Sequence, residues 1–152
     1  MENYEDVFGH LGTCVNYGSN PSMSQLQDEK TLAFVKKHFN SITMENEMKP
    51  DAVLGNSVNA ITKEEAEKLG YIIPDNYKET SVPKLNFDRI DKILQTAYDN
   101  GLGLRGHTLL WHSQTPAWFF GIDYDADEDA VDEDTMDARI DFYVSTVMDH
   151  VM

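Results

Sequence analysis

Apolar positions along this chain come in short bursts separated by polar, turn-forming stretches. Residues 8–17 (FGHLGTCVNY) read as a first strand, whose two glycines allow a neighbouring backbone to approach closely. A Ser/Asn/Pro stretch follows, then a helix over about 24–38. Ser24 and Gln27 have capping-box spacing, and Leu32, Val35 and Phe39 continue one apolar face. Residues 40–46 (NSITMEN) have a short apolar centre and read as a second strand. Residues 51–85 read as an elaborated loop. Within it Thr62, Lys63, Glu64 and Glu65 start a short capped helix that stops at Gly70. Phe87, Ile90, Ile93, Leu94, Ala97 and Tyr98 then mark an amphipathic helix ended by Asn100-Gly101. A third strand is expected over 103–110, then an acidic loop. A last helix starts near Asp134, with Met136, Ile140, Val144 and Val147 on one stripe.

Strands alternating with helices imply parallel strands joined by right-handed crossovers, an α/β fold. Polar clusters follow strands two and three, at the sheet edge where α/β architectures build sites. No GxGxxG or phosphate-binding loop accompanies the first strand, which argues against a nucleotide site.

Charge narrows the partners. Twelve Lys and Arg against 27 Asp and Glu leave a net −15 over 152 residues. That field repels nucleic acid and anionic membrane, so neither is expected as a partner, while a neutral polar ligand is indifferent to it. The hydrophobic fraction of 41% fits a globular chain. The single cysteine, Cys14, has no intrachain partner and is expected to be a small buried residue. No run approaches the roughly 18 apolar residues of a membrane span. The N-terminus (MENYEDVFGH) is acidic where an export signal is basic and then apolar, so localisation stays open.

Glu45, Asn46 and Lys49 place an acceptor, an amide and a three-donor cation within five residues, a set suited to a ligand covered in hydroxyls. The plainer alternative is a solvated turn with a local ion pair. The second cluster, residues 105–116 (RGHTLLWHSQTP), mixes two histidines, a tryptophan, an arginine and a glutamine with few core candidates. On an extended strand Arg105, His107 and Leu109 share one face. Trp111 at its end either stacks on a sugar ring or caps the core. His107 and His112 are five apart, on opposite faces of a strand, and no HExxH motif is present, so no metal site is expected. The acidic run 123–137 matches the first ligand positions of a calcium loop. It carries Glu128 where such a loop needs glycine and Asp134 where it needs glutamate. A solvated loop feeding carboxylates to a helix N-terminus is the better reading.

Two long segments, FNSITMENEMKPD (39–51) and LRGHTLLWHSQTPAWF (104–119), resemble the second- and third-strand signatures of glycoside hydrolase family 10, the β-1,4-xylanases. GHLGTCVNY and NFDRIDKILQTAYDNGL also sit where that family has them. The resemblance implies the N-terminal part, about three βα units, of an eightfold β/α (TIM) barrel, with residues 1–152 an incomplete portion of the catalytic domain. It implies that Glu45 and Asn46 hold hydroxyls of the sugar two places toward the non-reducing end from the cleaved bond. Lys49 and His107 would bind the sugar at the cleavage point, Trp111 would wall that subsite, and Gln114 would add a hydrogen bond. Retaining glycosidases need two carboxylates roughly 5 Å apart. In the family both are glutamates at the ends of strands four and seven, expected beyond Met152. Glu45 and Glu47 match binding and structural positions instead. The resemblance further implies xylan or xylo-oligosaccharide as ligand, no cofactor, and the C-terminal remainder of the barrel, in the same or another chain, as partner. Xylan as substrate favours an extracellular setting. The alternative expectation is a non-catalytic carbohydrate-binding or assembly fragment.

Overall fold

The structure is a computed structural model that describes residues 7–152, so the acidic stretch at 1–6 lies outside the described residues. The chain runs β1 (Gly12–Val15), α1 (Glu29–His38), β2 (Ser41–Met44), α2 (Pro50–Leu54), β3 (Ala60–Thr62), α3 (Lys63–Lys68), β4 (Ser81–Pro83), α4 (Asp88–Asp99), β5 (Gly103–Arg105) and α5 (Glu133–Val151). β1, β2 and β5 form one parallel sheet in that order, with Gly12 opposite Ser41 and Ser41 opposite Gly103. Each expected strand is present, but shorter. β1 occupies the middle of 8–17, and β5 ends at Arg105 instead of running to Leu110.

The register sorts side chains onto two faces, because successive residues of a strand alternate. Val15, Ile42 and Met44 lie on the covered face, in a core completed by Leu26, Val35, Ile93, Ala97 and Leu102 from the surrounding loops, α1 and α4. Ile42 and Met44 are fully buried, each contributing about 2 kcal/mol by removal from water. Gly12, Cys14, Ser41, Thr43, Gly103 and Arg105 fall on the opposite face. Cys14 there is exposed, which corrects its expected burial: it alternates away from the helices, and no described residue covers it.

Helix starts depend on which side chain reaches the first free amides. α1 is capped by Asp28, whose carboxylate accepts from both the Thr31 backbone N–H and hydroxyl at 2.7 Å. Ser24 makes no cap bond, because residues 25–27 form a separate 3-10 turn before the helix. The capping box expected at Thr62 and Glu65 is formed. In α4, Ile90, Ile93 and Ala97 are buried as the spacing requires, while Tyr98 is rotated off the stripe and 84% exposed.

Residues 51–85 are more ordered than a loop. β3 and β4 pair antiparallel around α3, and the segment builds a second core with α5. Val53, Leu54, Ala66, Tyr77, Val82 and Leu85 meet Phe119, Ala138, Phe142, Tyr143 and Val147 there. The buried stripe of α5 is therefore 138/139/142/143/146/147, not one centred on Met136, Ile140 and Val144, which are only half-buried. It includes Arg139, fully buried. Its guanidinium makes a two-bond pair with Glu79 at 2.8 and 2.5 Å, and it donates to the Phe119 and Gly121 carbonyls at 2.6 and 2.9 Å. It also lies 3.9 Å from the Tyr124 ring centre. Burial pushes the Tyr77 and Tyr124 phenols, hydrogen-bonded to each other, well above the ordinary tyrosine range. Gly121 is dictated by packing: a Cβ there would overlap the Asp125 carbonyl oxygen.

In the acidic loop, Asp132 caps α5 by accepting from the Thr135 N–H at 2.8 Å, with Glu133 and Asp134 in the first turn. This is the helix-terminus role expected of the acidic run. Among the described residues no helix is long and apolar enough to cross a membrane.

Candidate functional site

Both polar clusters lie where β2 and β5 end. The Glu45 amide donates to the Val15 carbonyl at 3.0 Å, continuing the sheet one bond past β2. The chain then turns through 45–49 and enters α2 at Pro50, which suits a first helical position because its missing N–H has no partner to lose. The second segment leaves β5 at Arg105. Since the strand stops there, the alternation argument does not carry through to His107. Its peptide bond to Thr108 is cis.

The two segments are joined by Lys49 and Gln114. The Lys49 ammonium donates to Asn46 Oδ1 at 2.9 Å and to Gln114 Oε1 at 2.8 Å, and sits 5.1 Å from the Trp111 ring centre. Gln114 Nε2 reaches Asn46 Oδ1 at 3.4 Å and Asp51 Oδ2 at 3.3 Å. Gln114 has φ 59°, a left-handed conformation costing a non-glycine residue about 1 kcal/mol. The Asp51 amide, donating to the Gln114 carbonyl at 2.9 Å, holds it there. Thr115 Oγ1 closes the Trp111 turn by donating to the Trp111 carbonyl at 2.7 Å.

Asn46, Lys49, Trp111 and Gln114 are thus brought into one cluster. Glu45 is exposed beside it, with its carboxylate unbonded among the described residues. His107 is half-buried, and its ring makes no hydrogen bond there either. Arg105 lies on the open sheet face, and His112 is exposed with its ring centre 5.4 Å from that of Trp111, the two rings edge to face. Sequence reasoning overlooked Asp51, which holds Gln114. The signal was present in Lys-Pro-Asp, a helix start with an acidic residue in its first turn.

Chemically, the cluster offers amides, an ammonium, a carboxylate and an indole face. The hydrogen-bonding groups match hydroxyls that both donate and accept, and the indole matches the apolar face of a ring. A parallel β/α sheet bearing such a cluster at its strand C-termini is the arrangement of α/β-barrel enzymes.

The chain belongs to glycosyl hydrolase family 10, whose sequence profile matches residues 1–152. It is 45% identical over 151 residues to endo-1,4-beta-xylanase A of Butyrivibrio fibrisolvens, covering 99% of this chain and 35% of that protein. It is 37% identical over 121 residues to endo-1,4-beta-xylanase A of Thermotoga maritima, covering 80% of this chain and 9% of that protein. Among solved structures, it resembles the Clostridium thermocellum endo-1,4-beta-D-xylanase 10B modules complexed with xylohexaose. There the TM-score is 0.70 at 28% identity, over 97% of this chain and 24% of that one. An intracellular xylanase of Thermoanaerobacterium saccharolyticum, in complex with xylotriose, gives a TM-score of 0.67 at 30% identity, over 98% and 36% of the respective chains. The chain therefore spans about a third or less of these relatives. Their fold is the TIM barrel, and the described residues form a partial α/β region of it with no closed barrel.

Proposed function

We propose that this chain supplies the glycone-side substrate-binding wall of a retaining endo-1,4-β-xylanase. The observation that carries the reading is the Asn46–Lys49–Gln114 network under Trp111. It spends some of its hydrogen-bonding groups on mutual support and leaves others for a ligand. Glu45 and Asn46 bind the more distant sugar, and Lys49, His107, Trp111 and Gln114 bind the sugar at the cleavage point. Residues 1–152 are then the N-terminal portion of the catalytic domain. The acid/base and nucleophile glutamates come from sequence outside these residues, in the same chain or a partner. Glu47 is unsuited to either role, since both its oxygens already accept backbone N–H groups. Hydrolysis by two carboxylates needs no cofactor.

Reducing-sugar release from xylan tests the reading, comparing the 152-residue chain alone with the chain supplemented by the other barrel strands. The expected result is no release alone and release on completion. Release by the chain alone would overturn the assignment of the carboxylates. Xylohexaose binding without release after completion would favour a non-catalytic binding fragment.

A further inference from the structure

Glu47 is only 7% exposed, although Glu45 and Asn46 immediately before it are exposed. Burying a carboxylate is expensive unless its oxygens are met by donors. Here Oε1 accepts the Tyr17 backbone N–H at 2.8 Å and Oε2 accepts the Asn46 backbone N–H at 3.0 Å. No ion pair involves Glu47 among the described residues. The carboxylate therefore serves as a two-sided acceptor between two pieces of backbone.

The two pieces matter differently. Tyr17 lies in the loop after β1, which closes on itself. Asn16 N–H donates to Gln25 Oε1 at 3.1 Å, Gln25 N–H donates to Asn16 Oδ1 at 2.7 Å, and Leu26 N–H donates to the Asn16 carbonyl at 3.1 Å. Glu47 pins that preformed loop to the turn after β2. On the other side, Asn46 Oδ1 is occupied by Lys49 and Gln114, while its Nδ2 makes no hydrogen bond among the described residues. Where those two free N–H donors point depends on the residue 46 backbone, which Glu47 holds.

We infer that Glu47 is a positioning residue: by tying the 16–25 loop to the Asn46 backbone, it sets where the Asn46 amide meets a sugar hydroxyl. The inference rests on the sugar-binding reading above. A carboxylate is required because glutamine offers one acceptor and one donor group, so one of the two backbone N–H groups would face another N–H.

Amide hydrogen exchange on the 152-residue chain, paired with xylohexaose titration, tests it. Glu47→Gln is expected to speed exchange at one of the Tyr17 and Asn46 amides by about tenfold, and Glu47→Ala at both, with Ile42 and Met44 amides unchanged. Xylohexaose affinity should fall about tenfold in either variant. In the active enzyme carrying this sequence, KM should rise while kcat holds. Unchanged exchange at both amides in Glu47→Ala overturns the clamp, whatever the oligosaccharide does. Released amides with unchanged xylohexaose affinity, where Asn46→Ala weakens binding, overturn the positioning role. A wild-type chain with no affinity for xylohexaose overturns the sugar-binding reading and the positioning role with it. The clamp itself would then stand or fall on the exchange rates.

Discussion

Lys49 spends two of its N–H donors on Asn46 and Gln114, so it enters any encounter with a ligand already oriented. A lysine in free solution loses much side-chain entropy on being fixed, and here most of that loss is incurred on folding. His107 presents the contrasting case. The residue is half-buried and its ring makes no hydrogen bond to any described residue, so no bond within the described residues orients it in advance. On the proposed reading, His107→Ala in the completed barrel should lower kcat by roughly 100-fold and raise KM by much less, because a donor gripping the sugar at the cleavage point counts most as charge develops. Steady-state kinetics on xylohexaose decide it. A raised KM with unchanged kcat would assign His107 to ground-state binding alone.

Elements in this chain are held by a few polar bonds placed between apolar surfaces. Arg139 joins three of them: α5, the turn at 119–121 and the 51–85 segment through Glu79. Truncating one partner of such a pair strands the other, so Arg139→Ala should destabilise the chain by about 3 kcal/mol. Urea unfolding followed by tryptophan fluorescence measures this, since Trp118 packs in the same core. A loss below about 1 kcal/mol would show that the apolar contacts carry the junction alone. Arg139 was not legible in the sequence. A cation on a helix reads as solvent-facing, and its partner is 60 residues away. The β3–β4 pair within 51–85 was hidden for a related reason: three-residue strands carry too little alternation to detect. By contrast, the α4 stripe and the Thr62 capping box were readable, because both depend on spacings within one helix. The Ser24 cap misled because Asp28 competes for the same helix start, and the intervening 3-10 turn leaves no sequence period. In the site, the family motifs named Asn46, Lys49 and Gln114 but set Asn46 at a different sugar, whereas the bonds of Asp51 to Gln114 and of Glu47 to backbone amides are displayed by no motif.

Helix caps add a pH dependence at the same scale. The Thr135 backbone N–H, then its hydroxyl, hold the Asp132 carboxyl below the ordinary aspartate value of 3.8. For Asp28, the Thr31 hydroxyl leads and its backbone N–H follows. A lowered folded-state value means the stabilisation is fully present above about pH 4 and is lost as pH falls through the folded value. Far-UV circular dichroism from pH 6 to pH 2 should show helix loss beginning below pH 4. An Asp28→Asn, Asp132→Asn double variant should show a shallower acid transition, as asparagine caps without titrating. Identical acid profiles in the two proteins would remove the caps as the cause.

At the scale of the whole molecule, the described residues cover one face of the sheet and leave the other open. The bare face carries glycine, cysteine, serine, threonine and one arginine, and it lies at a structure-wide boundary: β1 and β5 are both edge strands. Small side chains cannot build an independent core, yet they suit the interior of a narrow barrel, where residues from opposite strands meet. Cys14 sits on that face and is exposed, so it reports whether the face is covered. In the 152-residue chain it should react with a small aromatic disulfide at close to the rate of a free thiol. Supplying the other strands of the barrel should slow that reaction at least tenfold, by about the loss of solvent access that filling the barrel brings. Fast labelling in the completed barrel would mean that this sheet does not form the barrel wall. Slow labelling in the chain alone, with a mass twice that of one chain, would mean that a second copy already covers the face. The edge strands make that outcome a physical competitor, because unpaired backbone groups along β1 and β5 are satisfied equally well by another chain's strands.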